Sequence, residues 1–136
     1  MIKSNRRKFI ALAAGLAAVS SVKGNTLMTM KKKNLAHQVY FWLKNPGSAE
    51  DRTELINGIK TLRKIESVKK LSIGVVAATE KRTVIDDTWS VSELAIFSDL
   101  AGEAAYQVHP IHLDFVKNYS HLWSKVVIYD ATEVDS

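Results

Sequence analysis

Past residue 34 the apolar residues change their spacing several times, and each change marks an element. Residues 37–44 (HQVYFWLK) are dense in aromatic and β-branched side chains, which predicts a strand. Asn45-Pro46-Gly47 ends it. Ser48 followed by Asp51 reads as a helix cap with an acid three residues on. Leu55, Ile56, Ile59 and Leu62 then recur every three or four positions, predicting an amphipathic helix over 49–64. Residues 68–77 predict a second strand, 80–87 a charged connection and 88–97 a third strand. Ser98 or Asp99 is placed to cap a short helix ending near Tyr106. A further helix is expected from Pro110 to about Trp123, with Leu113, Phe115 and Val116 facing inward, and a last strand over 126–129.

The order β-α-β-β-α-β predicts an α+β class and a ferredoxin-like subunit. A sheet covered by helices on one face should alternate apolar and polar residues. These strands do not. Val39, Phe41 and Leu43 oppose Tyr40 and Trp42; Trp89, Val91 and Phe97 oppose Leu94 and Ile96; Val126 and Ile128 oppose Val127 and Tyr129. Both faces are apolar, and helices cover only one. A second copy of the same sheet is the simplest cover for the other, so a homodimer packed sheet to sheet, a dimeric α/β barrel, is expected.

Charge changes the picture at the N-terminus. The chain has 136 residues, with 19 basic and 14 acidic side chains. Five of the basic residues, Lys3, Arg6, Arg7, Lys8 and Lys23, lie in the first 24 positions, which hold no acid. The remainder is balanced, so no nucleic-acid partner is expected. Arg6-Arg7 precedes an apolar run over residues 9–22, and Val22-Lys23-Gly24 offers a cleavage site. That run is shorter than the roughly 20 residues of a membrane span but suits a signal peptide. Residues 1–24 thus resemble a twin-arginine export signal. Residues 25–34 are expected to be a flexible tether and residues 35–132 a single domain. The expected location is periplasmic, with no stable membrane anchor after cleavage. The chain has no cysteine, which excludes thiolate catalysis, cysteine-bound zinc and disulfides.

Candidate chemistry gathers at Tyr106-Gln107-Val108-His109-Pro110-Ile111-His112. Proline suits the first position of a helix, so His109 falls at the turn, as a capping residue, and His112 in the first turn that follows. The positive end of the helix dipole disfavours imidazolium there, which leaves a neutral, proton-accepting ring. Beside the Tyr106 phenol this makes an acid/base pair: the histidine removes a proton next to a carbonyl while the phenol bonds the oxygen that gains charge. His37, at the start of the first strand, joins them as a candidate ligand-binding residue. The competing reading makes all of these histidines structural. A three-histidine metal site from His37, His109 and His112 is conceivable, but no carboxylate lies at matching spacing. No cofactor or metal is therefore expected. Asp86-Asp87 reads as a solvated loop, and His121 as a surface or core residue.

The stretch from Leu35 to Thr132 resembles the stress-responsive dimeric α/β-barrel domain, called Dabb. The resemblance rests on His37-Gln38-Val39-Tyr40-Phe41-Trp42-Leu43-Lys44, Leu71-Ser72-Ile73-Gly74, Phe97-Ser98-Asp99, the Tyr106–His112 segment and Val126-Val127-Ile128-Tyr129-Asp130. It implies a ferredoxin-like subunit that dimerises through its sheet. It does not fix an activity. Some plant members are stress-induced proteins that form larger assemblies. One plant member is a cyclase that closes a linear polyketide-CoA by a cofactor-free aldol step. Its working tyrosine and histidine match Tyr106 and His112, and an early pocket histidine matches His37. An exported protein would rarely meet acyl-CoA, and Trp42, Trp89 and Trp123 are candidates to fill the space of a long substrate.

The expected function is an exported dimeric barrel that binds an unknown small molecule. Cofactor-independent lyase, cyclase or isomerase chemistry at Tyr106 and His112 is the leading possibility, with His37 at the polar end of the pocket. A non-enzymatic stress or assembly protein is the alternative, and a haem- or oxygen-handling monooxygenase-like barrel a further one.

Overall fold

The structure, a computed structural model, describes residues 32–135. The expected leader and residues 25–31 of the expected tether lie outside the described residues. No helix among the described residues is long and apolar enough to cross a membrane.

Strand β1 (Leu35–Leu43) leads into helix α1 (Ala49–Lys60), which tightens into a 3-10 turn at Thr61–Lys64. Strands β2 (Lys70–Gly74) and β3 (Val91–Phe97) follow. Helices α2 (Leu100–Val108) and α3 (Pro110–Tyr119) come next, then a 3-10 turn at Ser120–Leu122 and strand β4 (Trp123–Thr132). The sheet order is β2-β3-β1-β4, with every paired neighbour antiparallel. This is the ferredoxin-like arrangement, with its second helix split in two.

Local chemistry sets each boundary. Ser48 caps α1, its Oγ accepting from the Asp51 N–H at 3.1 Å, and Glu50 and Asp51 in the first turn suit the helix dipole. Asp99 caps α2 by accepting from Gly102 N–H at 2.8 Å. The break between α2 and α3 is enforced by Pro110, which has no N–H and holds His109 extended (φ −67°, ψ 137°). His109 fills the expected capping role: its Nδ1 accepts from Ile111 N–H at 3.1 Å.

The helices pack on one sheet face. Leu55, Ile59 and Leu62 from the first helical unit, Tyr106 from α2 and Phe115 from α3 meet Val39, Phe41, Val91 and Phe97 from the strands. Gly58 of α1 packs directly against the Tyr119 ring of α3. A Cβ there would stand 2.8 Å from the Tyr119 ring, so only glycine fits without movement. The other sheet face carries Tyr40, Trp42, Leu94, Ile96, Val127 and Tyr129, as the two-faced strand pattern anticipates.

Several expectations are corrected. Strand β2 ends at Gly74 rather than Ala77, because its pairing with β3, its only partner among the described residues, stops at Gly74–Ser92; Val75 and Val76 are left exposed. Strand β3 begins at Val91, not Thr88. Asp86 captures the N–H and hydroxyl of Thr88 in a side-chain turn, and Trp89 donates to the Asp86 carbonyl at 2.9 Å. Trp89 therefore packs on Tyr40, at 5.1 Å between centroids, on the face opposite Val91. Helix α3 stops at Tyr119, and Trp123 opens β4, which continues past the expected end at Tyr129. Leu113 is 55% exposed and Val116 40% exposed; the buried stripe of α3 is Phe115 with half-buried Ile111, His112 and Tyr119. One apolar stripe of a helix cannot hold 113 as well as 115.

Candidate functional site

A cavity of about 140 Å³ lies between the helix-facing side of β1, β3 and β4 and the helices α2 and α3. His37, Tyr106 and His112, separated by as many as 75 positions in the chain, all line it. Strand alternation brings His37 in: it shares the buried face of β1 with Val39 and Phe41 and is 2% exposed. Tyr106 points from the last turn of α2, and His112 from the first turn of α3 beyond the proline break.

Tyr106 is the hub. Its ring centroid lies 4.5 Å from that of His112, 5.6 Å from that of His37 and 5.1 Å from that of Phe97. Its hydroxyl bonds Glu93 Oε1 at 2.8 Å. Glu93, 2% exposed, also lines the cavity. Burial pushes the Glu93 carboxyl above its ordinary range, against the opposing effects of the Tyr106 hydrogen bond and of His37. Burial, then the adjacent Glu93, push the Tyr106 phenol upward as well. Tyr106 is therefore a phenol and not a phenolate at neutral pH.

The two histidines are oriented by what their Nδ1 atoms bond. His112 Nδ1 donates to the Gln107 carbonyl at 3.2 Å, which leaves Nε2 as the atom that takes up a proton. Burial lowers the pKa of His112, opposed by the Gln107 bond. This shift runs in the same direction as the preference for a neutral ring expected from the helix start, but its largest cause is desolvation. His37 Nδ1 donates to Asp130 Oδ1 at 2.6 Å, and Asp130 is half exposed at the rim of the sheet. A carboxylate behind a histidine fixes its tautomer and turns Nε2 away from the carboxylate.

Glu93 and Asp130 were not among the sequence candidates. Glu93 occupies an inward position of an apolar strand, between Val91 and Ala95, and that parity was its signal. Asp130 pairs with His37 across β1 and β4; an expected strand end at Tyr129 hides that register.

Other expectations fall differently. Of the three tryptophans only Trp123 lines the cavity. A register shift between Trp42 and Leu43 resets the parity of β4. Trp123 then joins the inward set and stacks on Phe115 (5.7 Å, 28°). Trp42 and Trp89 lie on the other sheet face, where with Tyr40, Tyr129 and Asp86 they line an open hollow of about 390 Å³ that holds no histidine. His109 is committed to its cap and sits 3.4 Å from Glu66. No three histidine or carboxylate groups converge on a metal-sized site among the described residues. His121 is exposed.

Fold and site together define a ferredoxin-like α+β domain with a small, mostly apolar cavity that ends in a phenol, a carboxyl and two imidazoles. Residues 35–133 match the Dabb family, the stress responsive A/B barrel domain, and the chain belongs to that family. A Dabb family protein with a ferredoxin-like fold from Mesorhizobium loti is similar at 21% identity, covering 76% of this chain and all of its own, with a TM-score of 0.63. A hydroxynitrile lyase from Passiflora edulis is similar at 19% identity over 77% of this chain and 97% of its own, with a TM-score of 0.64. A dimeric ferredoxin-like protein of unknown function from Thermobifida fusca is similar at 15% identity over 76% and 94%, with a TM-score of 0.62. No curated protein matches the sequence.

Proposed function

We propose that this chain is an exported homodimer in which each protomer binds a small carbonyl or hydroxy compound and transfers protons on it without a cofactor. The lyase, cyclase and isomerase classes share that step. One observation carries the reading: Tyr106, His112 and His37 meet in one cavity, with each imidazole oriented by a bond at Nδ1. His112 Nε2 takes the proton from the substrate. The Tyr106 hydroxyl meets the oxygen on which charge builds. His37, held by Asp130, fixes the polar end of the ligand. The hydroxynitrile lyase with this fold supports a lyase as one of the chemistries that such a scaffold supports, without assigning that substrate here.

The size of the cavity narrows the ligand. Drug-sized ligands take roughly 300 Å³ or more, so about 140 Å³ suits a smaller molecule and does not admit a macrocycle. The structural alternative draws support from the Tyr106–Glu93 bond, because a hydroxyl already engaged inside the protein serves packing as well as catalysis.

Acetophenone, a small uncharged ketone, separates the two. Titrated into protein with labelled histidine and tyrosine, it is expected to shift the NMR signals of His37, His112 and Tyr106 in a saturable way and to leave Tyr40 and Tyr129 unmoved. Shifts confined to Tyr40 and Tyr129, or none, would leave the histidines structural.

A further inference from the structure

Tyr106 raises a difficulty for its own role. A phenol that gives its proton to a substrate oxygen becomes a phenolate, and both burial and Glu93 oppose that anion. The residue that resolves this is already bonded to it. The Glu93 carboxyl stands 2.8 Å from the phenol oxygen and is buried. The same contact works in two directions. With Glu93 ionised, the phenol donates to it. With Glu93 protonated, the carboxyl donates to the phenol oxygen, and the phenol proton is free to turn into the cavity.

We propose that Glu93 is a positioning residue that acts through Tyr106, as the proton store behind it, so that the negative charge of a turnover comes to rest on Glu93 and not on the phenol. The proposal rests on the catalytic reading above and deepens it.

For a ketone the step balances as follows. His112 Nε2 takes a proton from the carbon beside the carbonyl. That C–H pair becomes the C=C bond, and the carbonyl π pair moves to oxygen. The oxygen takes the Tyr106 proton as Tyr106 takes the Glu93 proton. The products are an enol, an imidazolium and a carboxylate, and net charge is unchanged. Running the step backwards restores every group. A carboxylic acid near 4.3 is a far stronger acid than a phenol near 10, so Glu93 is the group suited to hold the charge even where burial raises it.

The same arrangement narrows the substrate. The cavity is lined by no lysine or arginine, and its one carboxyl is Glu93. An anionic substrate would find no counter-charge there and would meet a second negative charge during turnover. The site is built for uncharged carbonyl or hydroxy compounds. The titratable groups facing Glu93 are Tyr106 from α2 and His37 from β1; its cross-strand neighbours Val39 and Ile73 are apolar.

The test follows deuterium uptake into the acetophenone methyl group in D2O across pH, together with the 13C signal of the Glu93 carboxyl. In wild type the rate should fall as pH rises through the Glu93 titration seen in that signal. Glu93→Gln keeps the shape but has no proton to give. It should lose about tenfold or more in rate and lose that limb, and Glu93→Asp should recover both in part. Acetophenone should move the Glu93 carboxyl signal in wild type and not in Tyr106→Phe. If exchange depends on His112 while Glu93→Gln keeps the wild-type rate and profile, the proton store is wrong and the catalytic reading stands. If wild type does not accelerate exchange but the ketone still moves the Glu93 signal through Tyr106, the catalytic reading fails and the contact stands. If neither occurs, both are wrong.

Discussion

Glu93 shows how much one residue can change a site. A buried carboxyl is costly unless bonded, and Tyr106 supplies the bond. Its raised pKa has a consequence for stability that does not depend on any ligand. A group that is harder to ionise in the folded state contributes fully below its unfolded value, near 4.3, and that contribution is lost as pH rises through the folded value. His112 works the other way: its lowered pKa gives a contribution present above 6.5 and lost as pH falls. Glu93→Gln removes only the first. In urea unfolding its midpoint should therefore gain on wild type steadily as pH rises from about 4 upward. Midpoints that run parallel across pH would mean that Glu93 titrates normally. Tyr106 and His112 were legible in the sequence because the proline places them on either side of a helix break, and His37 because it opens the first strand and matches the early histidine of the family it resembles. The bond between Glu93 and Tyr106 was not, because it joins a strand to a helix thirteen residues on, and no local pattern encodes that approach.

At the scale of elements, the sequence is readable where a single face is buried. Helix α1 begins where Ser48 caps it, and the break at His109–Pro110 follows from proline alone. The misreadings occur where pairing decides and propensity does not. Val75 and Val76 have strand-forming side chains but no partner strand. Trp89 has the parity of β3 but is held out of it by the Asp86 turn. The bulge in β4 swings Trp123 inward against the alternation. The open face of the sheet is the element-scale feature with the largest consequence. Tyr40, Trp42, Leu94, Ile96 and Val127 are partly buried there, and covering them with a second sheet would remove several large apolar side chains from water, each worth about 1.5–3 kcal/mol when fully buried. Protein released from the periplasm of cells expressing the whole chain should therefore scatter light as a dimer of the leaderless chain, and Ile96→Lys should scatter as a monomer. Wild type retained in the cytoplasm would contradict export, and a clean monomer at micromolar concentration would contradict the sheet-to-sheet dimer.

At the scale of the whole molecule, the two sheet faces divide the work. One face builds the cavity with α2 and α3, and the other carries the partly buried Tyr40, Trp42, Leu94, Ile96 and Val127. Family membership fixes this architecture and leaves the chemistry to the side chains in the cavity, where His112 is the only candidate base without a carboxylate behind it. The most direct measurement is the rate at which the purified protein exchanges the methyl protons of acetophenone at neutral pH, compared with His112→Ala. General-base catalysis contributes about 10²–10⁴-fold, so wild type should exceed the variant by about a hundredfold or more. Equal rates in the two proteins would contradict the account.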